Sequence, residues 1–216
     1  MRLDILNQIT SIHYINLLSN AKRRVLIKNL LSQFPYDLTH IQGVIFDNSN
    51  PKFKKYLNAG VEAYVQNHVH QKGIIGCWIA HTHALEVIPV DRIGITVVLE
   101  DDFVCASNFF LFALEQINRF KRSFDIFICD PWGKGPLSEH AVEKNIYQPR
   151  KCNYPYYSGA HCLFINSGSA PKILQLIGTT PIKDYDGFLI DNENLDVYLL
   201  YTGLSGVRDL KSDIRG

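Results

Sequence analysis

The sequence lacks any apolar run that approaches the roughly 18 uninterrupted residues of a membrane-spanning helix. Its first ten residues, charged at Arg2 and Asp4, contain no apolar core long enough for an export signal. An excess of either charge is also missing, because 22 basic and 21 acidic residues leave a formal net charge of +1. This balance gives no electrostatic argument for a nucleic-acid partner, whose phosphates favour a basic surface. These absences predict a soluble protein of the cytoplasm without a transmembrane segment.

Closely spaced cysteine pairs are absent as well. The five cysteines are odd in number, and without an export signal they are expected to be reduced thiols, mostly buried. The 216 residues fit one domain of ordinary size, and no repeat, low-complexity tract or linker divides them. We therefore expect residues 1–216 to form a single domain.

Apolar periodicity predicts alternating strands and helices. Clusters of β-branched and aromatic residues predict strands at 11–17, 41–46, 93–99, 125–129, 161–165 and 197–201. Helical spacing predicts helices after residue 20 and at 52–69, 73–88, 107–120 and 167–177. The segment 131–154 is expected to be a long irregular loop. This order indicates an α/β fold with a mostly parallel sheet flanked by helices, in which sites gather at the carboxyl ends of strands.

The strongest chemical feature is a triplet of carboxylates, Glu100, Asp101 and Asp102, directly after the aliphatic strand at 93–99. Mutual repulsion makes the interior of a helix or strand unfavourable for them, whereas at a strand end they could share a divalent cation. Mg²⁺ and Mn²⁺ prefer carboxylate oxygens and leave coordination positions for substrate phosphates. A cation that bridges Asp102 and a diphosphate would stabilise a nucleotide leaving group. From the triplet alone, a solvated acidic turn is an equal alternative.

The triplet is one of several short sequence segments that occur in a recognisable order along the chain. They are INL at 15–17 with KRR at 22–24, GIIGCWIAH at 73–81, VVLEDD at 97–102, SGAHCLFI at 158–165, DGFL at 186–189 and SDI at 212–214. Together they resemble glycosyltransferase family 25, which includes lipopolysaccharide galactosyltransferases of bacteria and collagen galactosyltransferases. The acidic block matches almost letter for letter, while Ala80 stands where the family usually has Ser.

The resemblance implies a GT-A fold of Rossmann type and an inverting hexosyltransferase. It also implies a nucleotide-sugar donor, most often UDP-galactose, with Mn²⁺ or Mg²⁺ as the metal. The acceptor would be a glycan such as lipooligosaccharide. Since such glycans are lipid-linked, peripheral contact with the membrane surface is left open, although no amphipathic basic helix is evident.

The same resemblance assigns the catalytic and metal-binding residues. Asp102 and Glu100 are the predicted metal ligands. Asp186, which matches the family's late Asp, is the predicted general base that takes the proton from the acceptor hydroxyl. Asp184, two residues earlier, is the alternative base, and either Asp could instead cap the helix that follows.

The predicted donor-binding residues are Asn16, Arg23, Arg24, Gly73, Gly76, His81, Asp101, Ser212 and Asp213. Arginines form bidentate contacts with phosphate, and glycines allow the close approach of a ligand to the backbone. A solvated helical turn, a structural turn and a packed histidine are the corresponding alternatives without a ligand.

Two other functions compete with sugar transfer. His68, His70, His81 and His83 lie close in sequence, as the ligands of a zinc-dependent hydrolase would. On a helix, however, positions two apart face different sides. The other alternative is a nucleotide-sugar-binding module that has kept the fold without catalysis.

Overall fold

The computed structural model describes residues 8–91, 93–132, 141–149 and 159–208. The strands are β1 (Ile9–Asn16), β2 (Leu38–Gln42), β3 (Ile95–Glu100), β4 (Phe103–Cys105), β5 (Ile126–Cys129), β6 (Ala141–Glu143), β7 (Ile146–Tyr147), β8 (Cys162–Asn166), β9 (Val197–Leu200) and β10 (Ser205–Val207). The α-helices are α1 (Ala21–Leu31), α2 (Ala63–Gln66), α3 (Gln71–Glu86), α4 (Phe109–Arg119), α5 (Ala170–Ile177) and α6 (Tyr185–Asp191).

Eight of the strands form one mixed sheet in the order β2-β1-β3-β8-β5-β9-β7-β6. Strand β1 pairs in parallel with both β2 and β3, and β5 pairs in parallel with β9. Between these two parallel groups, β8 runs antiparallel to both β3 and β5. A second, two-stranded sheet joins β4 to β10. The predicted α/β architecture, a central sheet flanked by helices, is confirmed.

Both faces of the central sheet are buried. Helices α3, α5 and α6 cover one face, and α1 and α4 cover the other. Side chains alternate along the strands, so that Val98 lies on the face covered by α3, α5 and α6, while Val97 and Leu99 lie on the face covered by α1 and α4. This double burial explains why four of the five positions of β3 before its last residue are aliphatic, with Thr96 as the exception.

The single helix predicted at 52–69 is wrong. The chain forms a 3₁₀ helix at Pro51–Leu57 and the short α2, with a break at Gly60, whose φ of +90° is incompatible with a right-handed helix. The irregular loop predicted at 131–154 is also partly wrong, because β6 and β7 lie within it. Asn145, with a φ of 63°, forms the turn between them.

Four cysteines, Cys77, Cys105, Cys129 and Cys162, are free thiols; the last two are buried and the others half-buried. In the described ranges, none of the helices has both the length and the apolar character needed to cross a bilayer.

Candidate active site

The acidic triplet lies where the carboxyl ends of the first three strands meet. Strand β1 ends at Asn16 and β3 ends at Glu100, while Asp101 and Asp102 form the turn that leads into β4. Because β1 and β3 are neighbours in parallel register, Asn16 and the triplet are brought together. This is the edge at which α/β sheets bind ligands.

Asp101 is anchored by two residues from the start of the chain. The Asn16 amide donates to Asp101 Oδ2 at 2.6 Å, and the Arg23 guanidinium donates to Asp101 Oδ1 at 3.0 Å. Arg23 reaches the triplet because it lies in the first turn of α1. The N-cap residue of this helix, Asn20, accepts a hydrogen bond from the Arg23 backbone N–H through its side chain. Asp101 therefore has a partner for each carboxylate oxygen, and Arg23 offsets part of the negative charge.

Asp102 is in a different state. Its Oδ1 atom is buried and accepts no hydrogen bond from the residues that the structure describes. Burial, together with the carboxylates of Glu100 and Asp101, raises the pKa of Asp102 to about 6, although Arg23 opposes the shift. A hard divalent cation would coordinate this oxygen and supply the missing positive charge. The carboxylates at this turn therefore fit Mn²⁺ or Mg²⁺.

Glu100 faces the helix α3. Its Oε1 atom lies 3.3 Å from His81 Nε2 and 4.0 Å from Cys77 Sγ. His81 and Cys77 are four residues apart, on one face of the helix. The His81 ring stacks on Tyr185, with ring centroids 4.3 Å apart and an interplanar angle of 14°. Burial and the charge of Glu100 raise the pKa of the Cys77 thiol well above its usual range.

Asp186 approaches the triplet from the first turn of α6. Its Oδ2 atom accepts a hydrogen bond from the Gly159 N–H at 2.7 Å, and its Oδ1 atom accepts one from the Gly187 N–H at 3.0 Å. Burial raises the pKa of Asp186, the two N–H groups lower it, and the charges of Asp184 and Glu100 raise it further, so that the net shift is upward. The carboxylate is thus oriented, and it is a stronger base than an ordinary aspartate.

Asp184 is directed elsewhere. It is exposed, and its Oδ2 atom accepts a hydrogen bond from the Tyr64 hydroxyl at 2.8 Å. It occupies the N-cap position of α6, but its side chain makes no capping hydrogen bond. The geometry therefore favours Asp186 over Asp184 as the candidate base.

A sequence model of glycosyltransferase family 25 (LPS biosynthesis protein) matches residues 9–177, from β1 to the end of α5. The chain belongs to glycosyltransferase family 25. The resemblance inferred from the sequence blocks is thereby confirmed, and the membership places the chain among the glycosyltransferases. No match to a curated protein was found.

Several solved structures are similar in outline. One is a glycosyltransferase involved in the glycosylation of the major capsid of PBCV-1, with 11% identity, a TM-score of 0.40, and coverage of 79% of this chain and 66% of that one. The chain thus spans just under two thirds of that protein. Another is a putative glucose-1-phosphate thymidylyltransferase from Bacillus anthracis, with 14% identity, a TM-score of 0.41, and 93% and 70% coverage. Mouse xyloside xylosyltransferase 1 gives 13% identity, a TM-score of 0.38, and 87% and 72% coverage. All of these likenesses are weak.

Among the residues singled out by the family resemblance, the two glycines lie at the start of α3. Gly73 is in the first turn of the helix. At Gly76 an added Cβ would lie 2.3 Å from the carbonyl oxygen of Val44, so the close approach of two backbone segments requires glycine there. Packing within the protein is therefore sufficient to account for Gly76.

The remaining positions taken from the family resemblance are Arg24, Ser212 and Asp213. The Arg24 guanidinium donates to the Leu18 carbonyl oxygen at 3.3 Å on the protein surface, unlike Arg23. Ser212 and Asp213 lie outside the described residues, so their predicted contact with the donor remains a prediction.

The four histidines of the alternative zinc hydrolase do not converge. His68 and His70 are near one another, with ring centroids 5.6 Å apart, while His83 packs against the ring of Tyr56. His81 points instead to the acidic triplet. Because positions two apart on α3 face different sides, His81 and His83 cannot serve one site, and the predicted four-histidine cluster is not formed.

Sequence reasoning missed an aromatic pair beside the triplet. Trp132, which is 37% exposed, stacks on His161 with ring centroids 6.2 Å apart. His161 is fully buried, and its carbonyl oxygen accepts the Glu100 N–H at 3.0 Å. Burial lowers the pKa of His161, which favours a neutral ring. No pattern around Trp132 in the sequence indicated this contact.

Proposed function

We propose that the chain is a metal-dependent inverting glycosyltransferase that moves a hexose, namely galactose from UDP-galactose, to a glycan such as lipooligosaccharide. Family membership supports the reaction class. The observation that carries the metal dependence is the buried Asp102 oxygen, which has no hydrogen-bond partner in the described part of the chain. A cytoplasmic location and contact with the membrane surface remain predictions from the sequence.

Asp102 and Glu100 would hold the cation, while Asp101 stays bound to Asn16 and Arg23. When bound, Mn²⁺ or Mg²⁺ supplies positive charge next to the diphosphate of the leaving nucleotide. This division of roles explains why the triplet needs more than one carboxylate: Asp101 fixes the turn, and Asp102 Oδ1, which has no hydrogen-bond partner among the described residues, can coordinate the cation.

The donor would bind along the same edge of the sheet. Asn16 lies at the end of β1, and its Oδ1 atom is buried without a hydrogen-bond donor among the described residues. A buried acceptor of this kind favours a ligand that brings an N–H or O–H group. Arg23 adds positive charge at the same place, where phosphate oxygens would otherwise meet only carboxylates.

Asp186 would act as the general base. It accepts the proton of the acceptor hydroxyl while the hydroxyl oxygen forms a bond to the anomeric carbon of the donor sugar. The bond from that carbon to the phosphate oxygen breaks on the opposite side, so UDP leaves and the configuration inverts. A raised pKa suits this role, because a base is most effective when its pKa is near the working pH.

The test uses UDP binding and galactose transfer, each measured with and without Mn²⁺. We expect UDP to bind more tightly with Mn²⁺, and Asp102→Ala to abolish this metal dependence together with most transfer. Asp91→Ala, a substitution at an exposed carboxylate outside the site, is the matched control and should retain both.

Unchanged transfer by the Asp102→Ala variant would contradict the metal assignment. Metal-dependent binding of UDP without transfer or hydrolysis of any nucleotide sugar would identify the chain as a binding module instead.

A further inference from the structure

The Cys77–His81–Glu100 cluster combines three types of ligand atom at one point. A thiol sulfur, an imidazole nitrogen and a carboxylate oxygen all lie within 4.8 Å of one another. In the described part of the chain, this is the one such group of three or more His, Cys, Asp or Glu residues. We propose that the cluster is a second metal site, selective for a borderline-soft divalent cation such as Zn²⁺.

The spacing of the atoms is close to that of a zinc site. Around a tetrahedral Zn²⁺, with bonds of about 2.0–2.1 Å to nitrogen or oxygen and about 2.3 Å to sulfur, ligand atoms are about 3.4–3.6 Å apart. The Glu100 oxygen is 3.3 Å from His81 Nε2 and 4.0 Å from Cys77 Sγ. The nitrogen and oxygen are therefore already in place, whereas the sulfur, which lies within 4.8 Å of the nitrogen, must approach it by up to about 1.3 Å.

The protein frame favours binding. Cys77 and His81 are one turn apart on α3, a regular helix that fixes their separation. Stacking on Tyr185 fixes the plane of the His81 ring, which is only 2% exposed. The Glu100 side chain is 33% exposed, so an ion can enter past it. Binding would release the thiol proton to solvent as sulfur coordinates the metal.

The choice of metal follows from the ligands. Zn²⁺ accepts sulfur and nitrogen, whereas Mn²⁺ and Mg²⁺ favour an all-oxygen set such as that at Asp102. Three protein ligands leave one coordination position open. Glu100 belongs to both sites, so occupancy of the cluster by Zn²⁺ would compete with the binding of Mn²⁺ next to Asp102.

Cobalt provides a test that does not depend on catalysis. Titration of the metal-free full chain with Co²⁺ should produce a near-ultraviolet charge-transfer absorption from thiolate to cobalt. The absorption should saturate at one equivalent and disappear when Zn²⁺ is added. The Cys77→Ser variant should lose it. The control Cys105→Ser, at another half-buried free thiol, should retain it.

Absence of the absorption in the unmodified chain, or its persistence in Cys77→Ser, would overturn the site. Circular dichroism checks that each variant is folded. If Cys77→Ser is unfolded, Glu100→Gln decides the matter, since loss of a ligand should weaken Co²⁺ binding by about tenfold or more while the absorption remains. Unchanged affinity in that variant would also overturn the site.

A consequence for activity rests on the proposed transfer reaction. Zn²⁺ should inhibit Mn²⁺-supported transfer, and Cys77→Ser should relieve the inhibition while retaining transfer without zinc. If the cobalt absorption is present but zinc does not inhibit, the coupling through Glu100 is overturned and the site itself stands. If no transfer occurs under any condition, the cobalt titration still decides the site, and only the proposed function fails.

Discussion

The metal-free protein should become more stable when the charge of Asp102 is removed. Burial and the charges of Glu100 and Asp101 raise the pKa of Asp102 from 3.8 to about 6. At 1.36 kcal/mol per pH unit, this shift corresponds to about 3 kcal/mol of destabilisation at pH 7. Screening by solvent at this partly exposed turn lowers the value, and we expect Asp102→Asn to gain about 1–2 kcal/mol. For a chain of this length the gain raises Tm by about 3–6 °C.

The sign and pH window of this effect follow from proton binding. Between pH 3.8 and about 6 the unfolded chain has released the Asp102 proton while the folded chain retains it. Stability therefore falls as the pH rises through this window, and the cost is complete above it. Below pH 3.8 the carboxyl group is protonated in both states, so Asp102→Asn should bring no gain there.

Thermal unfolding in the presence of a chelator, at pH 7 and again below pH 3.8, compares the Tm of Asp102→Asn with that of the unmodified protein at each pH. Addition of Mn²⁺ at pH 7 should stabilise the unmodified protein but not Asp102→Asn, because ligand binding to the folded state alone raises Tm. Asp91→Asn, at an exposed carboxylate, is the control. A lower Tm for Asp102→Asn in chelator at pH 7, or an equal gain at both pH values, would refute the reasoning.

Two further predictions concern other aspartates. Asp186→Asn should reduce kcat for transfer by roughly 10²–10⁴-fold with little change in UDP affinity, as loss of a base does. The control Asp184→Asn should leave kcat nearly unchanged. Equal losses of turnover and UDP affinity in Asp186→Asn would point to a binding role. Asp125 is buried, which raises its pKa, but hydrogen bonds from the Lys172 ammonium at 2.6 Å and from two other groups outweigh burial and hold the pKa below 3.8. The unfolded chain therefore takes up the proton first, so this stability is present above pH 3.8 and lost as the pH falls further. Urea unfolding should show that Lys172→Met lowers the free energy of unfolding at pH 7 and reduces the further decrease in that free energy as the pH falls below 3.8. An unchanged pH profile would contradict the role of the ammonium.

The parts of the fold that could be predicted are those fixed by local pattern. Most of the strand expected at 93–99 is present in β3 (Ile95–Glu100), because a short and largely aliphatic run favours a strand that is covered on both faces of a sheet. The interruption of the helix expected at 52–69 depends on the positive φ of Gly60, which the presence of glycine permits but does not require. The pairing of Ile146 with Leu200 is a contact between distant segments, which no local pattern encodes.

The candidate site divides in the same way. The triplet was recognisable because its carboxylates are consecutive and follow a strand. Its anchoring by Asn16 and Arg23 depends on β1 and β3 being neighbours, which the sequence does not state. The stacking of Trp132 on His161 depends on a similar long-range arrangement, so neither contact could be derived from residue patterns.

The acidic turn is also tethered to the last strand that the structure describes. Strand β10 pairs with β4, which follows Asp102 at once, and the Arg208 N–H donates to the Asp102 carbonyl oxygen at 2.8 Å. Displacement of β10 from β4 would therefore remove a backbone hydrogen bond from the turn that carries Asp102.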